Sequence, residues 1–175
     1  MSAAKRISKE AIIDAAAAVL RIGGFEAINA RSVAKALGCS TQPIYLSFRN
    51  MEELKSALTQ RAIEQHTRRV RESLRAHEGC DSRYSSYGMG FVQFAAQEKQ
   101  LFRWLYLEDN RPGRHQEDVL EPEIIRTVMD EFGYDEVTAR AFHRDMTYYS
   151  YGLAILANTG HLALTETELR EAFRR

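Results

Sequence analysis

The stretch from Asn29 to Phe48, NARSVAKALGCSTQPIYLSF, restricts the fold of this chain more than any other. It reads as two short helices joined by a tight turn. Val33, Ala34 and Leu37 stand at i, i+1 and i+4 on one helical face, and Ile44 with Phe48 repeats the four-residue step after the turn. The two helices therefore bury their apolar sides together. Asn29 is placed to accept hydrogen bonds from first-turn amides that have no partner within the helix. Gly38 tolerates the left-handed backbone that commonly closes a helix, and Cys39 is expected to pack inward as a small hydrophobe. Ser40 is the expected cap of the second helix, with Pro43 at its third position, where a missing N–H costs little. The outer side of that helix carries Thr41, Gln42, Pro43, Leu46 and Ser47, with Tyr45 at the edge. Short, neutral, hydrogen-bonding side chains of this kind can approach base edges closely. Taken alone, the stretch also fits an ordinary corner between two helices, and the rest of the chain has to decide.

The flanks extend the helical pattern. Ser8, an acidic first turn, apolar Ile12, Ala16, Val19 and Leu20, and a Gly23-Gly24 stop predict a preceding helix. Phe25 and Ile28 add a wedge to the core, giving a three-helix domain over residues 1–50. Met1 to Ile7, with Lys5 and Arg6, has no periodicity and is expected to be a disordered basic arm. Asn50 with Glu53 resembles a capping box that opens a connecting helix over 51–76. Its stripe is Leu54, Leu58, Ala62, Ile63, Val70 and Leu74; the basic end HTRRVRESLR is expected to be solvated, with His66 on the surface.

Residues 51–175 are expected to form a second, wholly helical domain. Tyr84, Tyr87, Phe91, Phe94 and Ala95 keep helical spacing, followed by Leu101, Trp104, Leu105 and Tyr106 in a short segment. Asn110 to Gly113 is a turn cluster, and a helix over Asp118–Phe132 turns Ile124, Ile125, Val128, Met129 and Phe132 inward. Asp135 to Gly160 reads as one long helix with Val137, Ala141, Phe142, Met146, Tyr149, Leu153, Leu156 and Ala157 in register. Its second half, TYYSYGLAILANTG, is apolar or aromatic on nearly every side and needs cover from more than one direction. Thr165 with Glu168 caps a last short helix that presents Leu169 and Phe173. Self-association through the helices at about 135–160 and 165–174 would supply the cover; burial within one subunit is the alternative.

Charge divides along the chain although its formal net value is zero. Residues 1–75 carry thirteen Lys/Arg against seven Asp/Glu, and residues 76–175 carry eleven against seventeen. A basic N-terminal part joined to an acidic remainder favours a nucleic-acid-binding end attached to a part that meets something else. No run approaches the roughly 18 apolar residues that span a bilayer, and MSAAKRISKE lacks an apolar signal core, so the cytoplasm is the expected location. Cys39 and Cys80 make neither a disulfide framework nor a metal knuckle. His66, His77, His115, His143 and His161 show no metal-ligand spacing, and neither a glycine-rich phosphate loop nor a Ser-centred elbow is present. No enzymatic activity, metal or cofactor is expected.

The first 55 or so residues resemble the tetracycline-repressor (TetR) family of transcription regulators. The resemblance is carried by Ala11, Ala15, Gly24, Phe25, Ala34, Gly38, Ser40, Ile44, Tyr45, Phe48 and Leu54, in the order GGFEAI, SVAKALGCS, PIYLSF, RNMEEL. Near the end, YGLAILANTG is similar to the family's dimerisation helix. The resemblance implies an all-α homodimer, with an N-terminal helix-turn-helix DNA-binding domain and a C-terminal helical ligand-binding and dimerisation domain. Its two reading heads would occupy successive major grooves of a pseudo-palindromic operator. It assigns Ser40, Thr41, Gln42, Pro43 and Tyr45 to the recognition helix, Tyr45 to a backbone phosphate, and Arg31 to the start of the preceding helix. Those side chains suit the roles: Arg31 for guanine or phosphate, Gln42 for adenine, Thr41 or Pro43 for a thymine methyl. Met51 stands where the family often has lysine, so Lys55 or Arg49 is the substitute phosphate contact. Phe91, Phe94, Phe102, Trp104, Met129 and Tyr148 are the candidates to line an effector pocket, since aromatics line apolar pockets. The implied function is a ligand-responsive regulator, acting as a repressor that a small molecule releases from the operator; the alternative from another class is a helical adaptor that contacts protein.

Overall fold

A computed structural model describes residues 7–75, 82–108 and 114–174, and every regular element among them is helical. The helices are α1 (Lys9–Gly23), α2 (Ala30–Leu37), α3 (Gln42–Ser47), α4 (Met51–Arg75), α5 (Arg83–Gln97), α6 (Lys99–Phe102), α7 (Arg114–Phe132), α8 (Glu136–Thr159) and α9 (Glu166–Ala172). A 3₁₀ turn at Phe25–Ala27 precedes α2, and α6 runs on as a π-helical turn, Arg103–Leu107. Two compact units result, one ending at Glu64 and one starting at Gln65, so the boundary falls inside α4. Residues 1–6 of the expected arm and the turn at 110–113 lie outside the described residues.

The first unit follows the apolar pattern closely. Ser8 Oγ accepts from the Ala11 amide at 3.1 Å, and Ile12, Ala16 and Leu20 of α1 are buried, as are Ile28, Val33, Ile44, Phe48 and Leu54. Each large side chain taken fully out of water contributes about 1.5–3 kcal/mol. Charges gather at the edge of this core: Lys9 lies 4.8 Å from the Phe48 ring centre and 3.7 Å from Glu53, and Arg61 pairs with Asp14 at 2.8 Å. The capping box expected at Asn50 is half formed. Asn50 Oδ1 accepts from the Glu53 amide at 2.9 Å, but the Glu53 carboxylate reaches back one residue further, to the Arg49 amide at 2.8 Å and Arg49 Nε at 3.2 Å. That amide, followed by the guanidinium, holds the Glu53 carboxyl below its ordinary range.

In the second unit, α5 is set by polar contacts at its start and by an apolar face along its length. Ser82 Oγ caps it from the Ser85 amide at 2.8 Å, while Glu131 of α7 accepts from the Arg83 amide (2.9 Å), Arg83 Nε (2.9 Å) and the Tyr84 amide (3.1 Å). A carboxylate suits the free N–H groups at a helix start. Asn158 of α8, only 1% exposed, secures the far end: its Nδ2 donates to the Ala95 and Lys99 carbonyls at 2.9 and 3.0 Å, and its Oδ1 accepts from Arg103 Nε at 3.0 Å. The long helix α8 buries a side made of small and polar residues. Ala139, Ser150, Ala154 and Asn158 face the core, whereas Val137 is 79% and Tyr148 69% exposed, and Tyr149, Ile155 and Leu156 are also open. Small side chains let α8 approach α5, and the larger apolar ones are left on the other side.

Thr165 and Glu168 form the expected box on α9, which packs Leu169 and Phe173 inward. Gly88 makes room for Phe173: a Cβ built at Gly88 would lie too close to the Phe173 ring. Gly88→Ala is therefore expected to cost about 1–3 kcal/mol by overpacking, read as a lower urea midpoint with an unchanged slope. Unaltered unfolding would mean that the ring has somewhere else to go.

Candidate nucleic-acid interface and ligand cavities

Residues between Ala27 and Phe48 hold the helix pair by local bonds. Asn29 Oδ1 accepts from the Arg31 amide at 3.1 Å and the Ser32 amide at 3.0 Å, and the Asn29 amide donates to Ser32 Oγ at 3.1 Å. The box is thus closed by a serine, whose hydroxyl also reaches the Ala27 carbonyl at 2.7 Å. At the other end Gly38 takes φ +67° and ψ +34°, and the Cys39 amide returns to the Ala34 carbonyl at 3.0 Å. This left-handed closure is what turns the chain into α3.

Three local expectations need correcting. Ser40 does not cap α3: Thr41, itself in a helical conformation, occupies the cap position without a side-chain bond, and its carbonyl accepts from Ile44 (3.1 Å) and Tyr45 (3.4 Å). Because α3 begins at Gln42, Pro43 is its second residue and not its third. Cys39 is half-buried, with its Sγ donating to the Ser40 carbonyl at 3.1 Å; the turn leaves it at the edge of the core.

Ile44 is fully buried, so the opposite side of α3 faces out: Gln42 is exposed, Tyr45 is 54% and Leu46 80% exposed, and Thr41 and Pro43 are half-buried. Ser40 and Arg31 are exposed on either side of the turn. Lys55 is turned differently, with its ammonium 4.7 Å from the centre of the Phe25 ring. Arg49 is 90% exposed along its side chain while its Nε rests on Glu53.

The sequence profile of "Bacterial regulatory proteins, tetR family" matches residues 12–58, the span that holds this helix pair. The match to the tetR family is carried by this N-terminal segment. Its fold is similar to that of the fatty acid degradation regulator FadR from Bacillus halodurans, with a TM-score of 0.60 at 18% identity, covering 98% of this chain and 93% of that one. The TetR family repressor AlkX from Dietzia sp. strain DQ12-45-1b is also similar, with a TM-score of 0.49 at 19% identity, covering 97% of this chain and 92% of that one. No curated protein sequence matches the chain. TetR-family regulators are generally DNA-binding proteins and not enzymes. Among the described residues, no helix is long and apolar enough to cross a membrane, and no cluster of three or more His, Cys, Asp or Glu could hold a metal ion.

Among the described residues of the C-terminal unit are two cavities. The first, about 240 Å³, lies among α5, α7, α8 and the end of α9, with Tyr84, Tyr87, Phe91, Ile124, Met146 and Phe173 in its walls. Its polar groups are Tyr84 Oη, 2.8 Å from His143 Nδ1, together with Thr147, Ser150 and the Arg140–Glu121 pair at 2.8 Å. Burial pushes the Tyr84 hydroxyl above its ordinary pKa and His143 below its own, so both are neutral near pH 7. The second cavity, about 410 Å³, lies between α4 and α5.

The six aromatic and thioether candidates separate. Phe91 lines both cavities, Tyr148 stands in the wall of the first, and Phe94 lines the second. Phe102 is fully buried against Phe91, Phe94 and Tyr106 and lines neither. Met129 packs on the cluster of Val70, Leu120, Ile124 and Val128, and Trp104 sits half-buried in the π-helical turn; neither lines these two cavities. His66 overturns an expectation: it is 6% exposed, not a surface residue, because α4 turns it under α5 between the rings of Phe94 and Tyr106. Its position four residues before Val70 and four after Ala62 was the available signal.

Proposed function

We propose that this chain is a cytoplasmic, non-enzymatic repressor that binds a pseudo-palindromic operator as a homodimer and is released by a small molecule. In this reading residues 1–50 read DNA, 51–76 connect, and the remainder holds the effector and the second subunit. The observation that supports it most is the outer side of α3, where Gln42, Tyr45 and Leu46 stand in solvent beside a buried Ile44 on a turn fixed at both ends. Gln42 has the two-point donor and acceptor geometry for adenine, Tyr45 a hydroxyl for phosphate, and Arg31 a fork for guanine or phosphate. Ser40, Thr41 and Pro43 complete the contact edge, and Lys55 would have to leave the Phe25 ring to reach phosphate. The first cavity suits an uncharged or weakly polar effector of modest size, held by aromatic walls with Phe91 and Tyr148 among its contacts. The exposed side of α8, with α9 beside it, is the surface assigned to the second subunit.

Fluorescence anisotropy with duplexes tiled around the chain's own coding region tests the reading. Binding should weaken steeply as salt rises, because phosphate contacts release counterions. Gln42→Ala should lose about 1–3 kcal/mol of discrimination between operator and mutated site, whereas Tyr45→Phe should weaken binding to every duplex alike. Absence of a protected site at any salt concentration would leave the adaptor reading, and gel filtration with and without duplex would then separate the two.

A further inference from the structure

The cavity between α4 and α5 has walls that do not match an empty packing defect. Val70, Phe91 and Phe94 form its buried apolar side, Gly90 also lines it, and the exposed Arg69, Glu72, Gln93 and Gln97 stand around its rim. His66 is the polar group in the wall. Its ring centre lies 4.6 Å from that of Phe94 and 5.6 Å from that of Tyr106, and its Nδ1 is the buried side-chain polar atom among the described residues that has no hydrogen-bond partner. Buried polar atoms are paired in nearly all folded proteins, so an unpaired one beside an open volume is a site where a partner fits.

Charge narrows the partner. Burial, with the Arg69 guanidinium adding to it, pushes His66 down to about 4, so near pH 7 the ring is neutral and offers one donor and one acceptor. One arginine and one glutamate at the rim leave no net field to favour an anion or a cation. We propose that this cavity binds an uncharged aromatic molecule bearing a hydroxyl or amide group, which stacks among Phe91 and Phe94 and hydrogen-bonds to His66. Tyr87 and Phe91 line this cavity and the first alike. It requires no operator binding, so it stands or falls apart from the proposed function.

The test uses the full chain with phenol, toluene and benzoate as probes, read by ¹⁵N chemical shifts of the histidine side chains. Phenol is expected to shift the His66 signals saturably and to bind at least tenfold more tightly than toluene or benzoate. His66→Phe, checked for folding by circular dichroism, should bring phenol down to the toluene level, and His66→Gln should keep part of the preference. The wild-type measurements decide the matter even if His66→Phe does not fold. Equal binding of phenol and toluene, tighter binding of benzoate, His66 signals that stay fixed at phenol saturation, or full phenol preference in a folded His66→Phe protein would each overturn the proposal.

Discussion

Acidification from pH 7 to pH 4 is expected to remove about 3 kcal/mol from the stability of the C-terminal unit through His66 alone. In the unfolded chain the imidazole takes up a proton near its ordinary pKa of 6.5; in the folded unit desolvation delays this to about 4. Between those values the unfolded state binds more protons, so stability falls as pH falls, and the loss is complete below about 4. His143, also lowered by burial, acts in the same sense, so wild type alone would not isolate the effect. The comparison needed is urea unfolding of wild type and His66→Phe at several pH values. Trp104 is the single tryptophan and lies in this unit, so its fluorescence reports the relevant transition. Identical pH slopes in the two proteins would show that His66 is solvated or paired in the folded state.

Asn158→Ala should cost about 3 kcal/mol, since three side-chain hydrogen bonds of roughly 1 kcal/mol each disappear from a site that water does not reach. The bonds hold one point on α8 to the end of α5, the start of α6 and the π-helical turn, so their loss should also release Arg103. Asn158→Asp sharpens the test. It conserves size but sets a carboxylate oxygen against the Ala95 and Lys99 carbonyls, so it should be at least as damaging as alanine. Tryptophan-detected urea titrations would read both, and a variant within about 0.5 kcal/mol of wild type would mean that the carbonyls find other donors.

The parts of this protein that sequence reasoning reached are those governed by local chemistry. Asn29, Gly38, Ser8 and the Thr165–Glu168 box act within a few residues of themselves, and each sits where its side chain or backbone preference places it. Ile12, Ile44 and Leu54 likewise follow from spacing alone. The failures come from contacts distant in the chain. The arginines that follow His66 predict a solvated side chain, yet α5 and the π-helical turn cover it. Asn158 lay in an apolar run where only its three distant partners reveal its use. On α8 the sequence shows that more than one side needs cover, but only the fold shows that Ala139, Ser150, Ala154 and Asn158 form the side that the chain itself buries. At α3 the cap moved by one residue because Thr41 had already adopted helical angles.

Occupation of the open side of α8 would tie folding to concentration. One side is closed by the chain's own α5 and α7, and the other leaves Val137, Tyr148, Tyr149, Ile155 and Leu156 in water. Whatever binds that open side binds the folded chain and not the unfolded one, so by mass action the apparent stability rises with the logarithm of its concentration. If the occupant is a second copy, dilution destabilises the protein without altering any contact inside one chain. Melting temperatures measured at different protein concentrations then describe different equilibria.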